Sequence, residues 1–264
     1  MTASHRFPRL RAITFDFGNT LVPVSRADLH TVVEQMTAAI AGHLDGVETD
    51  PFRVAWHEER DRQFAQEVPR LREVDLDQRM IRVLARLRGM PVPAPAEWWN
   101  DEAAALLSTP AEVAFAVDAY SRIFAEVIPP PPAVGPLLER LAGSYRLAVL
   151  SNWPLASTID AYVEAAGWRP SLTAVVVSHR VGTIKPDPRI FRAAEDELGV
   201  DGAAILHVGD DWAADIVGAK GAGWLAAYLR GQQANSALPA SRPDGSATAD
   251  LELDALDQLE AALA

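Results

Sequence analysis

A chain of 264 residues that is 49% hydrophobic and 23% charged is long enough to bury a full core, as one large domain or two small ones. Its net charge of -12 argues against nucleic acid or an anionic membrane as a bulk partner, because both reward clustered Lys and Arg. With no cysteine, disulfides, thiolate metal sites and thiol catalysis are excluded, and with neither an apolar leader-like stretch at the start nor a membrane-length apolar run, cytoplasmic location is the expectation.

The first element is the apolar run from Ala12 to Phe15, which ends in Asp16 and the small and polar residues Gly18, Asn19 and Thr20. Such a run suits a parallel strand covered on both faces, and it delivers Asp16 to the carboxyl edge of a sheet, where ligands bind. From about residue 25 the strand patterns stop. Residues 27–44, 51–68, 76–87, 95–107 and 111–127 each place apolar side chains three and four apart, with Pro, Gly or Asp between them, so a helical insertion is expected over 25–127. The consecutive prolines Pro129 to Pro132 cannot continue a helix and mark the return.

Strands and helices then alternate. Helices are expected over 134–141, 156–166, 189–198 and 213–222, and strands over 146–151, 174–178, 204–209 and 225–229. Crossovers of this length imply a parallel sheet with helices on both faces. Residues 231–249, rich in Gln, Asn, Ser, Pro and Gly, read as a mobile loop, and the remainder as a short strand and a closing helix.

Three later stretches complement Asp16: Ser151-Asn152 at a strand end, Lys185 within Lys-Pro-Asp-Pro, and Gly209-Asp210-Asp211 with Asp215 beyond. A lone Asp at a strand end serves equally well as a turn cap, and the other three stretches tip the reading towards a nucleophile. Two carboxylates facing each other across a sheet edge repel unless a cation bridges them, and hard oxygen ligands suit Mg²⁺. Asp211 reads as a helix cap.

In this order the four stretches resemble the motifs of the haloacid dehalogenase superfamily. The resemblance implies a Rossmann-like, doubly wound α/β core built from residues 1–24 and 128–264, with 25–127 as a helical cap that closes over the site. It implies a hydrolase, in the first place a phosphatase acting on a small phosphorylated metabolite, as a monomer or homodimer. Asp16 would be the nucleophile. Lys185 would bridge Asp16 and the phosphate, while Ser151 and Asn152 donate hydrogen bonds to it. Asp16, the Gly18 backbone carbonyl, Asp210 and Asp215 would hold Mg²⁺, and Thr20 would brace the loop. Trp153, next to the second motif, is a candidate cavity wall, and Arg26 and His30 are candidate contacts for a substrate anion.

Gly18 departs from the phosphatase pattern. The usual second carboxylate, two residues after the nucleophile, protonates the leaving oxygen, and here it has no side chain. Two rival readings follow: a 2-haloacid dehalogenase, which attacks carbon without a metal, and a phosphate-pocket protein with little turnover. Against the first stand Asp210, Asp211 and Asp215, since strict dehalogenases tend to carry Ser and Asn there and Tyr at the Gly18 position.

Overall fold

The computed structural model describes residues 6–91, 108–230 and 235–264. Six strands form one parallel sheet in the order β3-β2-β1-β4-β5-β6: β1 (Ala12–Phe15), β2 (Arg146–Ser151), β3 (Ala174–Val177), β4 (Ile205–Gly209), β5 (Leu225–Leu229) and β6 (Leu251–Leu253). The chain first builds outward from β1 through β2 to β3, then returns to the other side of β1 with β4. The strand order reverses at β1, and that places the crevice of a doubly wound sheet beside Asp16.

Side-chain alternation divides the core between the two faces. Ile13, Phe15, Leu147, Val149, Leu206 and Val208 point to one face. Ala12, Ala148, Leu150 and Ile205 point to the other. The second face is covered by α8 (Pro188–Leu198) through Ile190, Phe191, Ala194 and Leu198, and by the π-helical turn Trp212–Val217. The first is covered by α5 (Val134–Ala142) and α6 (Ala156–Ala165).

The insertion contains α1 (Arg26–His43), α2 (Thr49–Gln66), α3 (Leu76–Leu87) and α4 (Pro110–Val127). Capping boxes, Ser25 with Asp28 and Thr109 with Glu112, start α1 and α4, and Asp75 caps α3. The helix expected over 95–107, with Trp98 and Trp99, lies outside the described residues. The insertion shares one apolar cluster with the sheet: Phe124 of α4 stacks edge-on with Trp153 and Tyr162, and Ser121 Oγ meets Thr158 Oγ1 of α6 at 2.9 Å. Residues 71–76 tie it to the motif loops, through Leu71 O accepting from Ile184 N (3.1 Å) and Leu76 N donating to Pro154 O (3.0 Å).

A third tie is ionic. His179, in the short helix α7 (Ser178–Val181), places Nε2 3.2 Å from both Asp75 and Asp77. Hydrogen bonds that it donates to Asp75 and then to Asp77 push its pKa up to about 10. Since the folded pKa lies above the unfolded value, the stabilisation is complete below pH about 6.5 and is lost as pH rises through 10. His179→Gln should therefore cost roughly 1–2 kcal/mol near pH 6 after allowance for partial exposure. Urea unfolding should show the gap from the native protein closing at pH 10.5, and a gap independent of pH would refute the ionic tie.

Candidate active site

Asp16, Ser151 and Asp210 follow the last positions of β1, β2 and β4 or end them, so the parallel register carries all three to one sheet edge. Lys185 arrives from the loop before α8, where the Lys185–Pro186 peptide is cis and Asp187 caps the helix. Its Nζ donates to Asp16 Oδ1 (2.9 Å), Asp215 Oδ1 (2.6 Å) and the Leu150 carbonyl (2.9 Å), which uses all three of its protons. Burial works against this ammonium, but the two carboxylates override it and raise its pKa. Lys185 and Asp215 side chains are each 1% exposed, whereas Asp16 keeps 14% and opens onto the cavity.

Asp215 is braced on all sides. Lys185 and His207 Nε2 (3.0 Å) meet Oδ1, and the Asp211 amide donates to Oδ2 (2.9 Å). Burial would raise its pKa, but Lys185 and His207 outweigh burial and hold it anionic. Thr14 Oγ1 sits 2.8 Å from His207 Nδ1, and burial lowers the pKa of this histidine. The neutral ring donating to Asp215 from Nε2 and accepting the Thr14 proton at Nδ1 satisfies every partner. The relay Thr14–His207–Asp215 was not anticipated from the sequence. Its signal was His207 itself, a polar residue in the otherwise apolar run of β4.

In the other two carboxylates burial prevails. Burial, opposed but not overcome by Lys185 and reinforced by Asp215, raises Asp16 to about 6. Asp210 rises to about 8 through burial and then through Asp16, Asp215 and Asp211. Oxygens of Asp16, Asp210 and Asp215 lie within 4.8 Å of one another, and the Lys185 ammonium bonds the first and the last of them. This donor set fits a hard divalent cation, whose charge would let the acids ionise together. Asp211 accepts from Ala214 N (3.0 Å) and caps the π-helical turn.

Other expected donors divide. Ser151 Oγ is buried near enough to Asp16 to lower its pKa yet makes no hydrogen bond of full geometry, and Thr20 Oγ1, in the loop that follows β1, is buried without a hydrogen-bond partner. A buried hydroxyl of this kind suits an incoming acceptor. Thr20 therefore makes no side-chain hydrogen bond that braces its loop. Asn152 does something different from the expected phosphate contact: its Oδ1 accepts from Lys185 N (2.7 Å) and its Nδ2 donates to Lys185 O (3.1 Å), clamping the Lys185 backbone.

A cavity of about 910 Å³ opens from this edge towards the insertion. Trp153 is buried in its wall, and Trp56, Tyr120, His30 and Arg26 line it from α1, α2 and α4. Arg26 is partly committed, since its Nε donates to Ser236 O (3.1 Å). Residues 235–241, expected to be loose, instead lie across the mouth. Arg26 N donates to Asn235 O (3.1 Å), Asn19 Nδ2 to Ser236 Oγ (2.8 Å) and Ser241 Oγ to Asp211 Oδ1 (2.5 Å).

Comparison with known proteins fits this geometry. The chain is 31% identical over 120 residues to a pyrimidine 5′-nucleotidase of Escherichia coli, covering 44% of this chain and 53% of that one. It is 37% identical over 114 residues to an (S)-2-haloacid dehalogenase of a Pseudomonas species, covering 42% and 46%. The matches span about half the length of these relatives. The fold resembles the crystal structure of a 2-haloacid dehalogenase from Pseudomonas syringae, with a TM-score of 0.64 at 23% identity over 96% of this chain and 98% of that one. The model of the haloacid dehalogenase-like hydrolases matches residues 10–223, from before β1 to beyond the last carboxylate of the site, and the chain belongs to that family of hydrolases.

Proposed function

We propose that the chain is a Mg²⁺-dependent hydrolase of small phosphate monoesters that works through a phosphorylated Asp16. The observation that carries this reading is the charge imbalance at the sheet edge: three converging carboxylates and one ammonium. A phosphate dianion adds to that imbalance, and a divalent cation offsets both. Attack on the carbon of a haloacid brings no such dianion and gives no reason to keep Asp210 and Asp215. The nucleotidase among the relatives points the same way.

In the first step an Asp16 oxygen attacks phosphorus, the P–O ester bond breaks, and the alcohol oxygen leaves with the bonding pair. In the second, water attacks the same phosphorus, phosphate departs and the Asp16 carboxylate is restored. Lys185 fixes the attacking rotamer, and Asn152 fixes Lys185. The buried Ser151 hydroxyl donates to a phosphate oxygen. Asp16, Asp210, the Gly18 carbonyl and Asp215 would hold Mg²⁺, which when bound neutralises and orients the phosphate. Asp215 gives Oδ1 to Lys185 and His207 and Oδ2 to the Asp211 amide, so its larger part is to keep Lys185 charged and in place. The insertion acts as a cap over the cavity and selects the organic half of the substrate.

Asp16→Asn should abolish phosphate release, by at least about 10³-fold, while leaving the melting temperature within a few degrees, because the amide is isosteric but a poor nucleophile. Undiminished turnover in that variant rules out the covalent route.

Activity should vanish in chelator, return with Mg²⁺ and fail with Ca²⁺, whose longer bonds and looser coordination misplace the phosphate. Steady-state phosphate assays beside halide release from a 2-haloacid decide the matter. Halide release in full chelator, with no phosphate released in Mg²⁺, would establish the dehalogenase reading instead.

A further inference from the structure

Gly18 is buried, and its backbone does not adopt the left-handed conformation that favours glycine. What a side chain there would have to share is space with Leu238 and Trp153. A Cβ placed on Gly18 meets Leu238 Cδ1 at 2.3 Å and Trp153 Cζ3 at 3.4 Å. Real Cβ atoms do not approach other atoms at the first distance, so any side chain there displaces Leu238.

Leu238 is seated by the strap that carries it. On one side Ser236 bridges Ser25 in antiparallel fashion, Ala237 N donates to Val24 O (3.2 Å), and Arg26 Nε holds Ser236 O. On the other, Ser241 O accepts from Trp212 N (3.3 Å), and Ser241 Oγ binds both Asp211 and Ala213 N (2.6 Å). The strap thus joins the loop that follows the nucleophile to the loop that carries Asp210 and Asp211. Leu238 projects between them, packs against the main apolar cluster, and lines the same cavity as Asp16.

Resting on the phosphomonoester reading above, we propose that Leu238 is a specificity-determining residue. It occupies the space in which an acidic side chain at position 18 would deliver a proton to the leaving oxygen, and with Trp153 it presents an apolar wall there. The substrates selected are phosphate esters of acidic alcohols, such as phenols and enols. Their oxygen departs as the anion without a proton, and their flat apolar part rests on that wall. In the first step the P–O bond breaks with its electron pair on the alcohol oxygen, and the proton is taken up afterwards from water.

The test is a double-mutant cycle of Gly18→Asp and Leu238→Ala in the full chain with Mg²⁺, using phenyl phosphate and ethyl phosphate as probes. The native protein should turn over the phenyl ester roughly 10²–10⁴-fold faster, the usual span of general acid catalysis. Gly18→Asp alone should lose several degrees of melting temperature, as overpacking does, and gain nothing on the ethyl ester. Leu238→Ala alone should raise KM for the phenyl ester and leave ethyl turnover low. Together the two should restore the melting temperature to that of Leu238→Ala and raise ethyl turnover at least about 10-fold. Equal phenyl and ethyl rates in the native protein, or an ethyl gain from Gly18→Asp alone that matches the double variant, overturns the proposal. So do melting temperatures that simply add. If no ester releases phosphate, it is the phosphomonoester reading that fails. Coupled melting temperatures would in that event still uphold the seat of Leu238 on Gly18.

Discussion

Lys185 sits where two buried carboxylates and a strand-end carbonyl converge, and nearly every element of the core is arranged to keep it there. Removing an ammonium from water costs several kcal/mol, and only close opposite charges with a full set of hydrogen bonds repay that cost. Asp16 comes from β1, Asp215 from the turn after β4, and Leu150 O from β2, so the three central strands must be in register for the lysine to be satisfied. Asn152 closes the ring by holding the Lys185 backbone. The same ammonium decides which acid is accessible for chemistry: Asp215 is locked in the interior by Lys185 and His207, while Asp16 shares Lys185 and still faces the cavity.

The parallel sheet, its flanking helices and the four motif loops were legible because they depend on local pattern. Short apolar runs bounded by turn formers fix strands, and β1, β2 and β5 fall where the runs place them. Ser178, expected to end β3, instead opens a short helix, where its hydroxyl accepts from Trp153 N. The role of Asn152 was not legible, because an amide beside a strand end is equally suited to a ligand or to a backbone clamp, and only the approach of the Lys185 loop chooses. The strap was misread for a related reason. Its Ser, Pro and Asn content signals irregular backbone, which is what it has, but irregular backbone can be held rigid when its hydrogen bonds go to another loop. Those partners, Val24, Asn19 and Asp211, lie more than 20 residues away in sequence.

The insertion is less separable than its helical composition implied. A lid that swings on two linkers needs a thin, polar interface with its core. Here α4 packs on α6 through aromatic edges and a hydroxyl pair, and residues 71–76 are stitched to the second and third motif loops. Removing residues 27–126 would uncover Phe17, Trp153 and Tyr162, which are all in ring contact with Phe124. The other insertion helices belong to the same seam, since Trp56 of α2 is buried against Tyr120 of α4, which in turn stacks on Phe124.

The cavity accordingly has two walls of different origin. One is the insertion, which contributes Arg26, His30, Trp56 and Tyr120. The other is the strap, which contributes Leu238 beside Gly18 and Asp16. The strap is bonded at one end to the loop after Asp16 and at the other to the loop bearing Asp210 and Asp211, so Gly18 and the acidic cluster share one covalent segment as a neighbour, through Leu238 and Ser241. The absence of a side chain at position 18 is then one half of a packing pair, and Leu238 is the other. Enlarging the first alone makes a clash and truncating the second alone leaves a hole, so substitutions at the two positions are coupled through their shared space.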